Sequence, residues 1–113
     1  MADKTILLSS GKEIKLKNTF RTARMYREVF KKDMLADMQR LAVQTSKKDT
    51  SDFDFQILEQ VCYIMAKHGM GDEIGDIDNF CDYLSFADMS ILMSALAELW
   101  NMNTATTVVR TKK

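Results

Sequence analysis

Apolar and polar residues alternate strictly in a short stretch near the start of the chain. Residues 13–17 read EIKLK, so Ile14 and Leu16 fall on one face and the charged residues on the other, as in a half-buried β-strand. A second apolar stretch at 4–8 precedes it across a glycine-containing turn at 9–12, and together they predict a β-hairpin. Because a two-stranded hairpin alone is marginally stable in water, we expect its apolar face to pack against helices.

After the hairpin, apolar residues recur at steps of three and four, which is the period of amphipathic α-helices. Successive stripes of this kind predict helices that each bury one face. The stripes are Phe20, Ala23, Tyr26, Val29 and Phe30; then Met34, Leu35, Met38, Leu41 and Ala42; then Ile57, Leu58, Val61, Ile64, Met65 and His68; then Ile77, Phe80, Cys81 and Leu84; and finally Met89, Leu92, Met93, Leu96, Leu99 and Trp100.

Capping residues and glycines predict where these helices begin and end. A break at 31–33 separates the first two helices, unless the first runs directly into the second. Gly69 is the predicted stop of the third helix. The candidate N-caps are Asn18 or Thr19, Asp33, Asp52 or Asp54, and Ser85 or Asp88.

The fold class that follows is mainly α (α+β), with an N-terminal two-stranded β-hairpin, four or five packed helices and a flexible C-terminal tail. A length of 113 residues suits one domain. Residues 44–51 are small and polar and predict a linker. The helical pattern is lost from Asn101 onward, so we expect a single domain over 1–101 and a flexible tail over 102–113.

The composition excludes several classes of protein. Hydrophobic residues make up 46% and charged residues 28% of the chain, which is typical of globular domains and not of disordered ones. No apolar run approaches the roughly 20 residues of a membrane-spanning helix, and the start is too short and acidic for a secretion signal. We therefore expect a cytoplasmic protein in which Cys62 and Cys81 are buried thiols, without a disulfide.

Charge is divided unevenly along the chain although the net charge is zero. Residues 1–50 hold twelve Lys/Arg and six Asp/Glu, a net charge of +6, whereas residues 51–113 hold four and ten, a net charge of −6. Either the two halves attract each other within one fold, or copies of the protein stack head to tail. The stacking hypothesis assigns self-association to Arg21, Arg24, Arg27, Asp76, Asp78 and Asp82.

An acidic cluster at 72–82 does not match a calcium-binding loop. If the loop began at Asp72, Ile74 would occupy a position that needs an acid and Ile77 the position that needs glycine. The cluster therefore indicates a solvated loop whose acids cap helices.

The residues that could supply soft metal ligands or a nucleophile are Cys62, His68 and Cys81. They lack the closely spaced pairs of structural zinc sites. His68 lies on an apolar helical face, where we expect a packed or capping histidine and not the base of a Cys–His pair. The sequence predicts no enzyme, no cofactor and no metal.

Two features instead indicate a binding protein. The chain has nine methionines, whose flexible side chains adapt to varied apolar partners. The predicted partner-binding residues are Met25, Met34, Met38, Met89, Met93 and Trp100. Basic residues along the first helix and its exit (Arg21, Arg24, Arg27, Lys31 and Lys32) indicate an alternative, a small helical nucleic-acid-binding regulator.

Three segments resemble one known family: YREVFKKDML at 26–35, LEQVCYIMAK at 58–67 and DIDNFCDYL at 76–84. With the hairpin before them and the amphipathic helix after them, they resemble the tail assembly chaperones of long-tailed phages and prophages of Gram-positive bacteria, over roughly residues 6–100. Family members often have Gly where this chain has Lys32, and a left-handed backbone there would cost more with Lys than with Gly.

The resemblance implies a function without catalysis. Copies of such a chaperone coat the long helical tape measure protein and keep it soluble until tail tube subunits assemble around it. The protein would then act in the cytoplasm of the bacterial host, self-associate, and be absent from the mature virion. In such phages a longer form often arises by ribosomal frameshifting, for which the tail after Asn101 would be a suitable junction.

Overall fold

The computed structural model describes the backbone of residues 2–46 and 55–111, and the side chains of residues 3–43 and 55–100. The elements are β1 (Ala2–Leu7), β2 (Glu13–Asn18), α1 (Phe20–Phe30), α2 (Met34–Ser46), α3 (Phe55–Met70), α4 (Ile77–Asp82) and α5 (Met89–Thr111), with short 3-10 turns at Gly71–Ile74 and Phe86–Asp88. The predicted fold class, a hairpin followed by packed helices, is confirmed.

β1 and β2 form the predicted hairpin and pair antiparallel, with Ile6 opposite Ile14. Ile6, Ile14 and Leu16 are buried on one face, as their alternation predicts. The turn is closed by a hydrogen bond of 2.9 Å from the Leu8 amide to the carbonyl of Lys12. The buried face of the hairpin packs mainly on α3, which supplies the support that two isolated strands lack.

α3 lies at the centre of the molecule. Its buried residues surround the whole helix and not one stripe, as expected for a helix covered on all sides. They are Ile57, Leu58, Val61, Cys62, Tyr63, Ile64, Met65 and Ala66. The other elements of the domain therefore form a layer around a single apolar helix.

The end of α3 differs from the prediction. Gly69 does not stop the helix, which continues to Met70, and the residue with a left-handed backbone is Gly71 (φ 68°). Gly69 instead makes room for β2, because a Cβ atom there would collide with the backbone oxygen of Lys15. A glycine required for close packing had the sequence signature of a helix stop.

α1 presents a different face to the core from the one its apolar stripe predicts. Phe20 is 95% exposed, Val29 is 49% exposed and Ala23 is also exposed, whereas Thr22 and Tyr26 are buried. The prediction was therefore wrong for three of the five stripe residues. It was correct for Tyr26, and Phe30 is half-buried.

Hydrogen bonds explain this rotation of α1. Thr19 is the N-cap, and its hydroxyl accepts from the Arg21 amide (3.2 Å) while its own amide donates to the hydroxyl of Thr22 (2.9 Å). One turn later the Tyr26 hydroxyl donates to the buried carboxylate of Asp37 (2.6 Å). Buried polar groups need such partners, and these bonds allow Thr22 and Tyr26 to lie on the buried side of α1, opposite the exposed Phe20.

A sharp corner separates α1 from α2, which decides between the two predicted alternatives. Lys31 takes a left-handed backbone (φ 59°), and the side chain of Asp33 caps the start of α2. The ammonium of Lys32 lies 3.3 Å from the carboxylate of Asp37 and donates to Gln60 (3.1 Å). The left-handed position expected at Lys32 is thus at Lys31, and Lys32 serves the buried network.

The other helices follow their predicted stripes more closely. α2 buries Met34, Met38 and Leu41 but leaves Leu35 and Ala42 exposed. α4 buries Phe80 fully, with Ile77, Cys81 and Leu84 half-buried, and α5 buries Leu92, Ala95, Leu96 and Leu99 beside the half-buried Met89, Met93 and Trp100. No helix in the described ranges is long and apolar enough to cross a membrane.

The two predicted starts of the last helix work together. The Ser85 amide donates to the carboxylate of Asp88 (3.0 Å), and the Asp88 amide donates to the carbonyl of Ser85 (2.9 Å). These bonds close the 3-10 turn that leads into α5. The backbone of α5 continues as a helix to Thr111, past Trp100 where the apolar pattern ends.

Some predictions fall outside the described residues. They include the N-cap at Asp52 or Asp54 and most of the linker over 44–51. The flexibility of the tail over 102–113 stays a prediction.

Candidate protein-binding surfaces

The methionines predicted to bind a partner are distributed between core and surface. Met34 is only 1% exposed and Met38 7%, so in this structure both belong chiefly to the core. Met25, Met89 and Met93 are half-buried. The described methionines therefore do not form one continuous exposed surface, because the apolar stripes that carry them also build the core.

A small groove between α2 and α5 brings three of the predicted residues together. Met38, Met93 and Trp100 line a space of about 220 Å³, with Gln39, Leu41, Ala42, Leu96 and Ala97. Trp100 is half-buried in this wall. Met38 belongs to α2, whereas Met93 and Trp100 belong to α5, so the three residues meet only in the folded chain.

A larger apolar groove of about 460 Å³ lies where α3 begins, α4 ends and α5 begins. We call it the α3–α5 groove. It is lined by Phe55, Leu58, Glu59, Cys81, Leu84, Ser85, Phe86, Met89 and Leu92. Only Met89 among these was predicted to bind a partner.

Two exposed aromatic residues stand at this groove. Phe55 is 49% and Phe86 84% exposed, and their rings meet edge to face with centroids 6.3 Å apart. Sequence reasoning missed both, because neither belongs to a helical stripe. The available signal was an aromatic residue between the capping residues Ser85 and Asp88, where the side chain of a 3-10 turn faces outward.

The polar residues of the groove are Glu59, Cys81 and Ser85, and the first two contact each other. The Cys81 thiol donates to Glu59 at 3.5 Å. Burial, and then the charge of Glu59 and this hydrogen bond, raise the pKa of Cys81 to about 11. Deep burial also raises the pKa of Cys62. Both thiols are therefore protonated at neutral pH and neither is an activated nucleophile.

His68 has a structural contact. Its Nε2 lies 2.9 Å from the hydroxyl of Thr19, the N-cap of α1, so it links the end of α3 to the start of α1. Burial, and then the positive charges of Lys17 and Arg21, lower the pKa of His68. The ring is therefore neutral at pH 7, which agrees with the predicted packed or capping histidine.

The charged residues predicted to self-associate lie on two separate surfaces. Arg21, Arg24 and Arg27 are exposed on α1, where they line a depression of about 700 Å³ with Phe20, Ala23 and Asp33. We call the three arginines the basic face. The acidic face comprises five exposed residues on the Gly71–Ile74 turn, at the N-cap of α4 and on α4: Asp72, Glu73, Asp76, Asp78 and Asp82.

Within the acidic face, Asp76 already has a structural task. It is the N-cap of α4 and accepts from the Asn79 amide at 2.8 Å. Among the described residues, no three acidic, Cys or His side chains lie close enough together to hold a metal ion.

Comparison of the chain with protein-family models, with curated proteins and with solved structures found no match.

Proposed function

We propose that this protein is a tail assembly chaperone that binds the phage tape measure protein, keeps it soluble during tail morphogenesis in the host cytoplasm, and catalyses no reaction. The α3–α5 groove is the observation that supports this function best. It is an apolar groove between helices, and grooves of this kind bind the apolar face of an amphipathic helix.

The exposed aromatic residues supply the energetic reason. Complete burial of a phenylalanine side chain is worth about 1.5–3 kcal/mol, and Phe86 is 84% exposed. A partner that covers Phe86 and Phe55 would therefore gain several-fold to a hundredfold in affinity from each ring. Met89 lies in the same wall, where its flexible side chain can adapt to different apolar residues along a long partner.

Glu59 gives the groove a polar requirement. Its carboxylate is half-buried in the lining, and its hydrogen bond among the described residues is a long one, from the Cys81 thiol. A lysine or arginine of the partner would satisfy it, because a charge-assisted hydrogen bond is stronger than one from a thiol. The groove therefore favours a helix with apolar residues at steps of three and four and a basic residue beside them.

Co-purification with a tagged tape measure protein from the same genome tests the proposal. We expect several copies of the chain to co-purify with the partner and to keep it soluble. Phe86→Glu should reduce the captured amount at least about tenfold, because a charge would be desolvated in the groove. Since Phe86 is largely exposed in the free chain, the circular dichroism and melting temperature of the variant should differ little from those of the unaltered chain.

Leu35→Glu is the matched control. Leu35 is 52% exposed on α2 and is not among the residues that line the groove. The Leu35→Glu variant makes the same change from an apolar to an acidic residue on another surface. The amount that co-purifies with the tape measure protein should remain near that of the unaltered chain. Equal capture by both variants would contradict the role of the groove, and no capture by the unaltered chain would contradict the chaperone function.

A further inference from the structure

The charges of the two halves of the chain do not neutralise each other inside the fold. Among the described residues four ion pairs form, and only Lys4–Glu98 (3.1 Å) joins a base of the first half to an acid of the second. The other three each join residues of the same half. The uneven charge seen in the sequence therefore survives on the surface of the folded chain.

The basic face lies beside an exposed aromatic ring, that of Phe20. Phe20, Arg24 and Arg27 lie four and three residues apart, which places them along one side of α1. Phe20 is 95% exposed. Arg24 has an ion pair of 3.8 Å with Glu28, but both side chains are about two-thirds exposed or more, and such a pair is worth little. An aromatic ring among arginines is a common composition for the centre of a protein interface.

The acidic face carries charge that the chain leaves largely unbalanced. The stretch 71–82 has five acids and no lysine or arginine. The fully exposed Asp72 lies 3.9 Å from Lys67, and no ion pair forms to Glu73, Asp78 or Asp82 within the described residues. Asp78 and Asp82 stand one turn apart on α4, where like charges repel. A basic surface placed over α4 would relieve this repulsion.

We propose that the basic face of one copy docks against the acidic face of a second copy, with Phe20 as the apolar anchor. The two faces differ, so the contact is head to tail, and a pair of copies keeps one free acidic face at one end and one free basic face at the other. Copies can therefore add in succession. Because the chain has a net charge of zero, the assembly does not accumulate charge as it grows.

Light scattering and sedimentation of the chain alone test this inference without any tape measure protein. At about 50 mM salt, where charges act over more than 10 Å, we expect a mass that rises with concentration above the 13.0 kDa of one copy. At about 500 mM salt the mass should fall toward 13.0 kDa, because screening weakens contacts between exposed charges.

Charge reversal on each face identifies the surfaces. Arg21→Glu/Arg27→Glu and Asp78→Lys/Asp82→Lys should each weaken association at least about tenfold. When these two double variants are mixed, a reversed basic face meets a reversed acidic face, and hetero-association should return. Recovery on mixing cannot come from a misfolded variant. Lys15→Glu/Arg40→Glu makes the same two base-to-acid reversals as the basic-face variant, at exposed positions off both faces, and should leave association unchanged.

The inference is overturned if the chain remains monomeric at low salt and high concentration. It is also overturned if the control variant weakens association as much as the variants of the basic and acidic faces do. Duplex DNA added at low salt tests the alternative that the basic face binds nucleic acid and not a second copy of the chain. If a monomeric chain bound the duplex and Arg21→Glu/Arg27→Glu abolished that binding, the basic face would be a nucleic-acid site instead. None of these outcomes depends on Phe86. The proposal that the α3–α5 groove binds the tape measure protein and the proposal that the charged faces bind each other are therefore tested independently.

Discussion

A single residue, Lys31, carries the backbone change between α1 and α2. Its φ of 59° lies in the left-handed region, which side chains with a Cβ adopt at a cost of about 1 kcal/mol or more. The side chain is exposed, and the described contacts of this corner belong to the backbone of Lys31 and to its neighbours Lys32 and Asp33. The strain is therefore not offset by contacts of the Lys31 side chain.

Lys31→Gly should stabilise the protein. Glycine removes the strain but gains freedom in the unfolded chain, so we expect a net increase of about 0.5 kcal/mol and a melting temperature higher by about 2–4 °C. Lys31→Ala keeps the Cβ atom and should give no such gain. Thermal unfolding followed by circular dichroism measures both, and an equal shift in the two variants would show that removal of the lysine side chain, not relief of strain, is responsible.

The residue scale is also where sequence reasoning reached its limit. It identified Tyr26 and Thr19, but it could not show that Tyr26 needs Asp37 as a partner across a chain reversal. In the structure this bond lies on the buried side of α1, and Phe20 lies on the exposed side. Phe86 was missed for a related reason, since a side chain in a 3-10 turn has no periodic pattern from which its direction can be inferred.

At the scale of elements, Asp88 connects the hairpin to the last helix. Its carboxylate accepts from the Ser9 amide (2.8 Å), the Ser9 hydroxyl (3.2 Å) and the Ser85 amide (3.0 Å), while Asp88 itself is 3% exposed. Burial alone would raise its pKa. The hydrogen bonds from Ser9 and Ser85 outweigh burial and hold the pKa of Asp88 below its ordinary value of 3.8.

This connection should make stability depend on acid. A carboxylate with a lowered pKa contributes stability that is present above the ordinary value and is lost as pH falls through the folded value. The urea midpoint should therefore drop as pH falls below about 4, and Asp88→Asn should show a flatter dependence there. At pH 7 the variant should lose about 1–3 kcal/mol, because the amide presents a donor to groups that also donate.

Asp82→Asn serves as the control, since Asp82 is an exposed acid on the neighbouring helix. It should change neither the midpoint at pH 7 nor the slope below about pH 4 by as much. An Asp88→Asn curve parallel to that of the unaltered protein would mean that other carboxylates control the acid response.

The element scale was the one best predicted from the sequence. The hairpin, the stripe of α5 and the cooperation of Ser85 with Asp88 follow from alternation, period and capping, which are local properties. The role of Gly69 could not be predicted in the same way, because it depends on β2 passing over the end of α3, a contact between residues 54 apart. Local signals specify elements, and distant contacts decide their faces and exact ends.

At the scale of the whole molecule, the two cysteine thiols are buried to different extents, so their rates of chemical labelling measure different opening motions. Cys62 is fully buried in α3 and Cys81 is half-buried in the α3–α5 groove. With a thiol reagent at pH 8, Cys81 should react slowly and Cys62 only as fast as the domain unfolds. The Cys81 rate should increase steeply toward about pH 11, its raised pKa, as thiolate forms.

Cys81→Ser should remove the faster phase and leave the slower one. In denaturant both thiols should react at once and at one rate. If Cys62 were labelled quickly in the native protein at neutral pH, the central position of α3 would be wrong.

The bonds between Ser9 and Asp88 have a consequence for synthesis. They join residues 79 positions apart, and the ion pair of Lys4 with Glu98 spans an even longer stretch. While the ribosome is still translating α3, the hairpin has emerged without the last helix that it will contact. The hairpin can pack on α3 as soon as that helix has emerged, but its contacts with Asp88 and α5 must wait until those residues are translated, so the packing of the hairpin is completed in two steps.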